Sequence, residues 1–354
     1  MSSERAGPSE PAARSARDHA HVDVSVLVPV RDEAPGIRDA VATMLRQRFV
    51  GRVEFLFMEG RSRDRTRAIL EELQREDPRI RVLDNPTGGI PQALNIGLRN
   101  ARGAFVARMD AHALYPDDYL ATGVRRLEHG GAEYVTGLQL PHGVDAWSRR
   151  ISLALASPLG AGGAGFRRRT TEETETDAGF TGLWRRETLE RLGGWREEWI
   201  VNEDGELAAR LRKAGGRIVC LPAMAARYVP RRSLAALARQ YWRYGQYRAK
   251  TSWHHPESMR RSHLLPPAVT LVVAAALAPM RAARPFRLAA AGYGMVLAAE
   301  SARCGARSGT LAAAWLPVVF VAMHLSWGAG FLVGCVRFGV DVSAVRAAVL
   351  PHRS

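Results

Sequence analysis

Four short stretches carry side chains whose types and spacing suit chemistry. Arg108-Met109-Asp110-Ala111-His112 ends an apolar run with a carboxylate and an imidazole two positions apart. A carboxylate at a strand end can hold a divalent cation that bridges two phosphates and neutralises a departing diphosphate. Imidazole suits manganese better than magnesium, which makes His112 a second candidate ligand. The alternatives are that Asp110 acts alone with His112 packed beside the phosphates, or that Asp110 caps its own turn. Asn202-Glu203-Asp204 opens a helical pattern. Acids there complement the helix dipole, yet adjacent carboxylates also repel, and the repulsion raises Asp204 towards a pKa useful to a general base. Glu33, and Glu59 with Arg61, Ser62 and Asp64, follow two further apolar runs. Asp64 to Thr66 read best as a helix cap, and Glu33 has the competing reading of a solvated surface acid.

The elements that must position these groups are legible upstream of each. Val24-Ser-Val-Leu-Val-Pro-Val30, Val53-Glu-Phe-Leu-Phe-Met-Glu59, Ile80-Arg-Val-Leu-Asp84 and Ala104-Phe-Val-Ala-Arg108 are short β-branched or apolar runs, each followed by a polar turn and most by a helical pattern. Repeated βα units predict a doubly wound parallel sheet of the α/β class. Ligands of such sheets lie beyond the carboxyl ends of the strands, where these acids gather. Gly88-Gly89 before Pro91 opens a helix beside that edge or is a simple glycine turn. Beyond Gly137 regularity fades, and the polar stretch 166–180 reads as a mobile loop.

The bulk composition narrows the partners. The 354 residues carry a formal charge of +15, and 47% hydrophobic content excludes wholesale disorder. Lys213 and Lys250 are the only lysines. An arginine bias in an alanine-rich chain discounts the charge as a signal for nucleic acid, and none is expected as a partner. Cys220, Cys304 and Cys335 are too scattered for a zinc site or a disulfide framework. Residues 1–21 read as a disordered leader and 341–354 as a polar tail. Between 251 and 340, Leu264 to Met280 and Phe286 to Ala299 are marginal for a span of about 20 apolar residues, whereas Leu311 to Val336 is long enough. Arginines in the gaps place the catalytic region, 22–250, on the cytoplasmic face of the cell membrane. Trp253, His254 and His255 read as interface anchors.

Taken in order, VSVLVPVRDE, MEGRSRDRT, RMDAH, NED and QYWRY resemble the family 2 glycosyltransferases, particularly members of the succinoglycan-synthesis type; HLSWGAGFLVG in the tail is similar to that subgroup as well. The resemblance runs from about Val24 to Tyr244 and implies a GT-A α/β domain and an inverting hexosyltransferase that uses a nucleotide-diphosphate sugar. It implies Asp204 as catalytic base, with Glu203 beside it, and Asp110 and His112 at a divalent metal, Mn2+ or Mg2+. The third position of the family's Asp-x-Asp is His112 here. Pro29 and Val30 would offer backbone groups and Glu33 a side chain to the nucleoside, with Glu59 standing where the family has an aspartate against the base. A carboxylate there can accept the imide N–H of uracil, which makes a UDP-sugar the expected donor. Arg61 follows it. Gln240, Trp242 and Arg243 belong to a Gln-x-x-Arg-Trp signature whose last position is Tyr244; arginine grips diphosphate and aromatic rings stack on sugars, while a plain interfacial helix is the alternative. The expected acceptor is lipid-linked or a growing polysaccharide. The competing readings are a polyprenyl-phosphate sugar synthase and a silent, sugar-nucleotide-binding membrane scaffold.

Overall fold

The computed structural model describes residues 22–339, apart from 163, 164, 168 and 169, together with Val345; the leader and nearly all of the polar tail lie outside the described residues. Four apolar runs form β1 (Val24–Val30), β2 (Val53–Glu59), β3 (Ile80–Asp84) and β4 (Phe105–Arg108), ordered β3-β2-β1-β4 and all parallel. β1 is buried along almost its whole length, as a strand covered on both faces must be. The connections are α1 (Ile37–Leu45), α2 (Thr66–Glu76) and α3 (Ile90–Asn100).

Past β4 the chain makes β5 (Ala113–Leu114), α4 (Tyr119–Glu128), β6 (Tyr134–Pro141), α5 (Ala146–Leu155), α6 (Pro158–Ala161), β7 (Thr174–Glu175), β8 (Gly182–Arg185), α7 (Arg186–Arg191), α8 (Glu203–Lys213) and β9 (Ile218–Tyr228). Here the sheet departs from the all-parallel expectation. β8 enters between β4 and β6, antiparallel to both, and β5 and β7 pair antiparallel with β9. The sheet is therefore mixed, with nine strands among the described residues. Trp184 of β8 stacks on Tyr134 of β6 with ring centroids 4.2 Å apart, an apolar pairing that fastens the inserted strand. The polar stretch 166–180 is also better tied than expected: β7 lies within it, Phe166 and Phe180 are buried, and Asp177 pairs with Arg260.

α9 (Leu234–His254) begins at Ser233, whose hydroxyl accepts the Ala236 N–H, and the division drawn near residue 250 falls inside it. Then come α10 (Arg261–Ala276), α11 (Arg284–Ser308) and α12 (Leu316–Phe338). Leu311–Phe338 is one segment long and apolar enough to cross a bilayer, with a mean hydropathy of 1.8. Leu265, Leu271, Leu288 and Met295 on α10 and α11 are exposed. α12 packs on α9 through glycines. A Cβ on Gly245 would lie 2.0 Å from the Trp327 carbonyl oxygen, one on Gly330 2.1 Å from that of Trp242, and one on Gly334 2.7 Å from that of Gln246. Backbones thus touch along the seam.

Candidate active site

The loops after β1, β2, β3 and β4 converge with the start of α8 to form a cleft. Among the described residues, three that are not glycine take left-handed backbone conformations, Asp32 (φ 55°), Arg61 (φ 57°) and Asn202 (φ 64°), and all three lie on these loops. Such strain persists where surrounding bonds enforce it. Asp32 Oδ1 accepts the Arg63 N–H at 2.7 Å and its own N–H donates to Ser62 Oγ at 3.0 Å. Gly88, at φ +68°, leaves no room for a side chain: a Cβ would meet the Gly60 carbonyl at 2.9 Å.

Glu59 is buried and turned back on its own loop. Oε1 accepts the Ser62 N–H at 2.7 Å, Oε2 accepts the Arg61 N–H at 3.3 Å, and Arg67 lies 3.6 Å away. Its visible work is to fold the turn that presents Arg61, which is exposed. Val30 offers less backbone than its position suggests, because its carbonyl already accepts the Gly60 N–H at 2.8 Å; Pro29 is partly exposed beside it. Asp64 accepts from the Thr66 N–H and hydroxyl and from the Ala34 N–H, and the Thr66 hydroxyl chiefly holds its pKa below the usual carboxylate range. Asp64 thus closes a turn onto the first residue of α2, while the N-cap position itself is Arg65, without a side-chain cap bond.

At the end of β4, Arg108 points inward. Its Nε donates to Asp110 Oδ1 and its terminal nitrogen to Glu203 Oε1, both at 3.0 Å, with 7% of the arginine side chain exposed. Burial works against the guanidinium, but Asp110, Glu203 and Asp204 outweigh it and hold the charge in place. Asp110 is fixed further by its N–H, which donates to the Tyr115 hydroxyl at 2.6 Å. His112 Nδ1 lies 3.3 Å from Glu33 Oε1, and nearly half of the His112 side chain is exposed. Desolvation opposes the imidazolium, yet the Glu33 hydrogen bond and the Asp110 charge prevail and raise its pKa. Asp110 and His112 thus face one opening, and Asp110 Oδ2 has no protein partner among the described residues. No cluster of three or more His, Cys, Asp or Glu suited to a metal occurs among them. Asp110 and His112 would hold a cation only with further ligands from a bound diphosphate, as at magnesium-type sites.

Asp204 stands partly exposed in the first turn of α8, with Oδ1 accepting the Gly205 N–H at 2.7 Å. Burial lifts both carboxyls of the Glu203–Asp204 pair above their ordinary values, against the pull of Arg108. The turn before them is held from α9. Thr251 Oγ1, fully buried, accepts Asn202 Nδ2 at 2.8 Å and Trp199 Nε1 at 3.1 Å. Thr251→Val should therefore orphan two buried donors, cost about 1–3 kcal/mol for each left unsatisfied, and lower kcat more than donor affinity. Thermal melts with paired kinetics check this; a wild-type melt would show that Thr251 does not hold the turn.

α9 does not present its signature as the sequence suggests. Tyr244, Arg248 and Thr251 share the face towards the cleft, and Gln240 Nε2 donates to the Tyr244 hydroxyl at 2.9 Å. Trp242 is turned to the opposite side, its backbone against Gly330. Arg243 is exposed, about 100° around the helix from Tyr244. The glycine seam sets this rotation, so neither Trp242 nor Arg243 joins Asp110 and Asp204. His255 is likewise no interface anchor: it is buried with Nε2 3.3 Å from Glu206. Sequence reasoning missed Arg108, Thr251 and Arg248. A lone arginine inside the apolar run Phe105 to Met109 was the available signal, because a charge there needs a buried partner.

Residues 25–193 match the model of glycosyl transferase family 2. The chain is 33% identical over 316 residues to the succinoglycan biosynthesis protein ExoA of Rhizobium meliloti (strain 1021), covering 86% of this chain and 93% of that protein. Among solved structures, the fold resembles the mannosyltransferase PcManGT from Pyrobaculum calidifontis, in complex with GDP-Man and Mn2+, with a TM-score of 0.56 at 22% identity over 91% of this chain and 88% of that one. S. aureus TarS 1-349 in complex with UDP-GlcNAc gives 0.52 at 16% identity over 90% and 93%. These likenesses carry the GT-A fold, and with them the chain belongs to glycosyl transferase family 2.

Proposed function

We propose that this glycosyltransferase moves a sugar from a nucleotide-diphosphate donor, with inversion at the anomeric carbon, to a lipid-linked or polysaccharide acceptor at the cytoplasmic face of the cell membrane. The observation that carries the reading is the Arg108 bridge, which ties the strand-end Asp110 to the helix start that bears Asp204. One carboxylate that could hold a cation at a diphosphate, and one near it with a raised pKa that could serve as the base, support a single displacement. Asp204 would take the proton of the acceptor hydroxyl as its oxygen attacks. Glu203, pinned on Arg108, keeps that turn in register, and the like charge that adds to burial in raising Asp204 is that of Asp110. Asp110 and His112 would hold a divalent cation, which when bound supplies charge neutralisation to the leaving diphosphate. Glu33 orients His112, leaving its other ring nitrogen towards the opening. Arg61, presented by the turn that Glu59 folds, would stand at the nucleoside end of the cleft, where UDP is the expected carrier.

The membrane part of the reading rests on Leu311–Phe338 and on the exposed apolar residues of α10 and α11. A test that addresses the whole reading uses membranes of cells that express the full chain, stripped with alkaline carbonate. Release of nucleoside diphosphate across a panel of UDP- and GDP-sugars should remain in the stripped pellet, stop with EDTA and return better with Mn2+ than with Mg2+. Activity that survives chelation removes the cation from the scheme, and activity in the carbonate supernatant removes the integral anchor.

A further inference from the structure

Among the described residues, Arg248 forms no ion pair. It sits one turn beyond Tyr244 on the cleft-facing side of α9 and is mostly withdrawn from solvent. Its one hydrogen bond goes to the neutral Asn202 Oδ1 at 3.4 Å, the long limit for such a contact. The neighbouring acids are engaged elsewhere: Asp177 pairs with Arg260 at 2.5 Å, and Asp204 Oδ1 caps its own helix through the Gly205 N–H. Arg108 and Arg210, similarly withdrawn, each grip carboxylates at 2.8–3.0 Å. A guanidinium has five donors, so four here have no protein acceptor among the described residues. Burial pulls its pKa below the ordinary arginine value, which Asp177 and Asp204 do not restore and Arg260 lowers further. A guanidinium in this state has donors left to receive an anion from outside the chain.

Its place says which anion. Arg248 reaches the turn before Asp204 from α9, through Asn202, whereas Asp110 reaches the same helix start from β4, through Arg108, with His112 turned to Glu33. Arg248 also lies beside Arg260 and His263, where α10 begins and its exposed apolar residues follow. We propose that Arg248 is an acceptor-side anion residue, binding a phosphate oxygen of an acceptor that carries phosphate next to an apolar chain. Bidentate arginine suits phosphate, and the site opens towards the helices that suit a lipid tail. This deepens the function proposed above and rests on it.

The test uses full-length protein in detergent, with farnesyl diphosphate as the acceptor-side probe and UDP or GDP as the donor-side probe, followed by titration calorimetry. With the nucleotide site saturated, wild type should bind farnesyl diphosphate. Arg248→Gln should weaken that binding about tenfold or more, as loss of a charged hydrogen bond implies, and leave nucleoside diphosphate affinity unchanged. Arg248→Lys should recover part of it through the point charge. Equal loss for both probes would assign Arg248 to the donor diphosphate and overturn the proposal. So would wild-type protein that ignores farnesyl diphosphate, or an Arg248→Gln variant that binds it normally. Hydrolysis of donor sugar by wild type separates the two levels: if hydrolysis persists and Arg248 has no effect, this inference alone falls, and if hydrolysis is absent, the transferase scheme falls first.

Discussion

Asp204→Asn should lower the transfer rate by about 100-fold to 10,000-fold while nucleotide affinity stays near wild type, because a general base works in the transition state and adds little to ground-state binding. The side chain keeps its size, and the amide oxygen can still accept the Gly205 N–H, so the start of α8 should survive. The pH profile adds a second readout. Burial raises the Asp204 carboxyl against the opposing pull of Arg108. The active form is the carboxylate, and its fraction falls as pH drops through the raised pKa. Wild-type activity should therefore show an acid limb above the ordinary aspartate value of about 3.9, and the residual activity of the variant should lack that limb. A rate within a few-fold of wild type would move the base elsewhere.

Arg108→Met should be the most damaging single change in the sheet. It leaves Asp110 and Glu203 facing each other without the cation that bridges them at 3.0 Å on either side. Removing one partner of a buried ion pair typically costs about 3–5 kcal/mol, and here one cation serves two acids. Chemical denaturation measures the loss. Glu203→Gln should be milder, since the amide oxygen can still accept from Arg108 and Asp110 keeps its partner. If Arg108→Met unfolds within about 1 kcal/mol of wild type, solvent or another residue supplies the missing charge, and the bridge is not what couples the two acids.

The parallel half of the fold was legible because β1 to β4 are long enough, apolar enough and buried on enough sides to leave a period in the sequence. β5, β7 and β8 were not. Four residues such as Gly-Leu-Trp-Arg, paired antiparallel to a strand more than 70 positions earlier, carry no local pattern that separates them from a turn. The candidate site divides in the same way. Asp110, His112, Glu33, Glu203 and Asp204 sit where strand ends and a helix start place them, so local pattern found them. Trp242 and Arg243 were misplaced because a motif on a long helix fixes spacing but not rotation. Rotation of α9 is set by its contact with α12, more than 80 residues away, and that contact brings Arg248 to the cleft in place of Arg243.

The glycine seam between α9 and α12 has a mechanical corollary. Where side chains interdigitate, a small displacement is absorbed by changes of rotamer; where backbones touch through Gly245, Gly330 and Gly334, nothing is left to rotate. α9 and α12 therefore behave as one rod. The rod ends in Thr251, which holds Asn202, which starts the helix that carries Asp204. Wherever the apolar helix is seated, the Asp204 carboxylate, the proposed base, stands at a constant offset from it, so under that proposal the height at which a hydroxyl must arrive is a built-in dimension of the molecule.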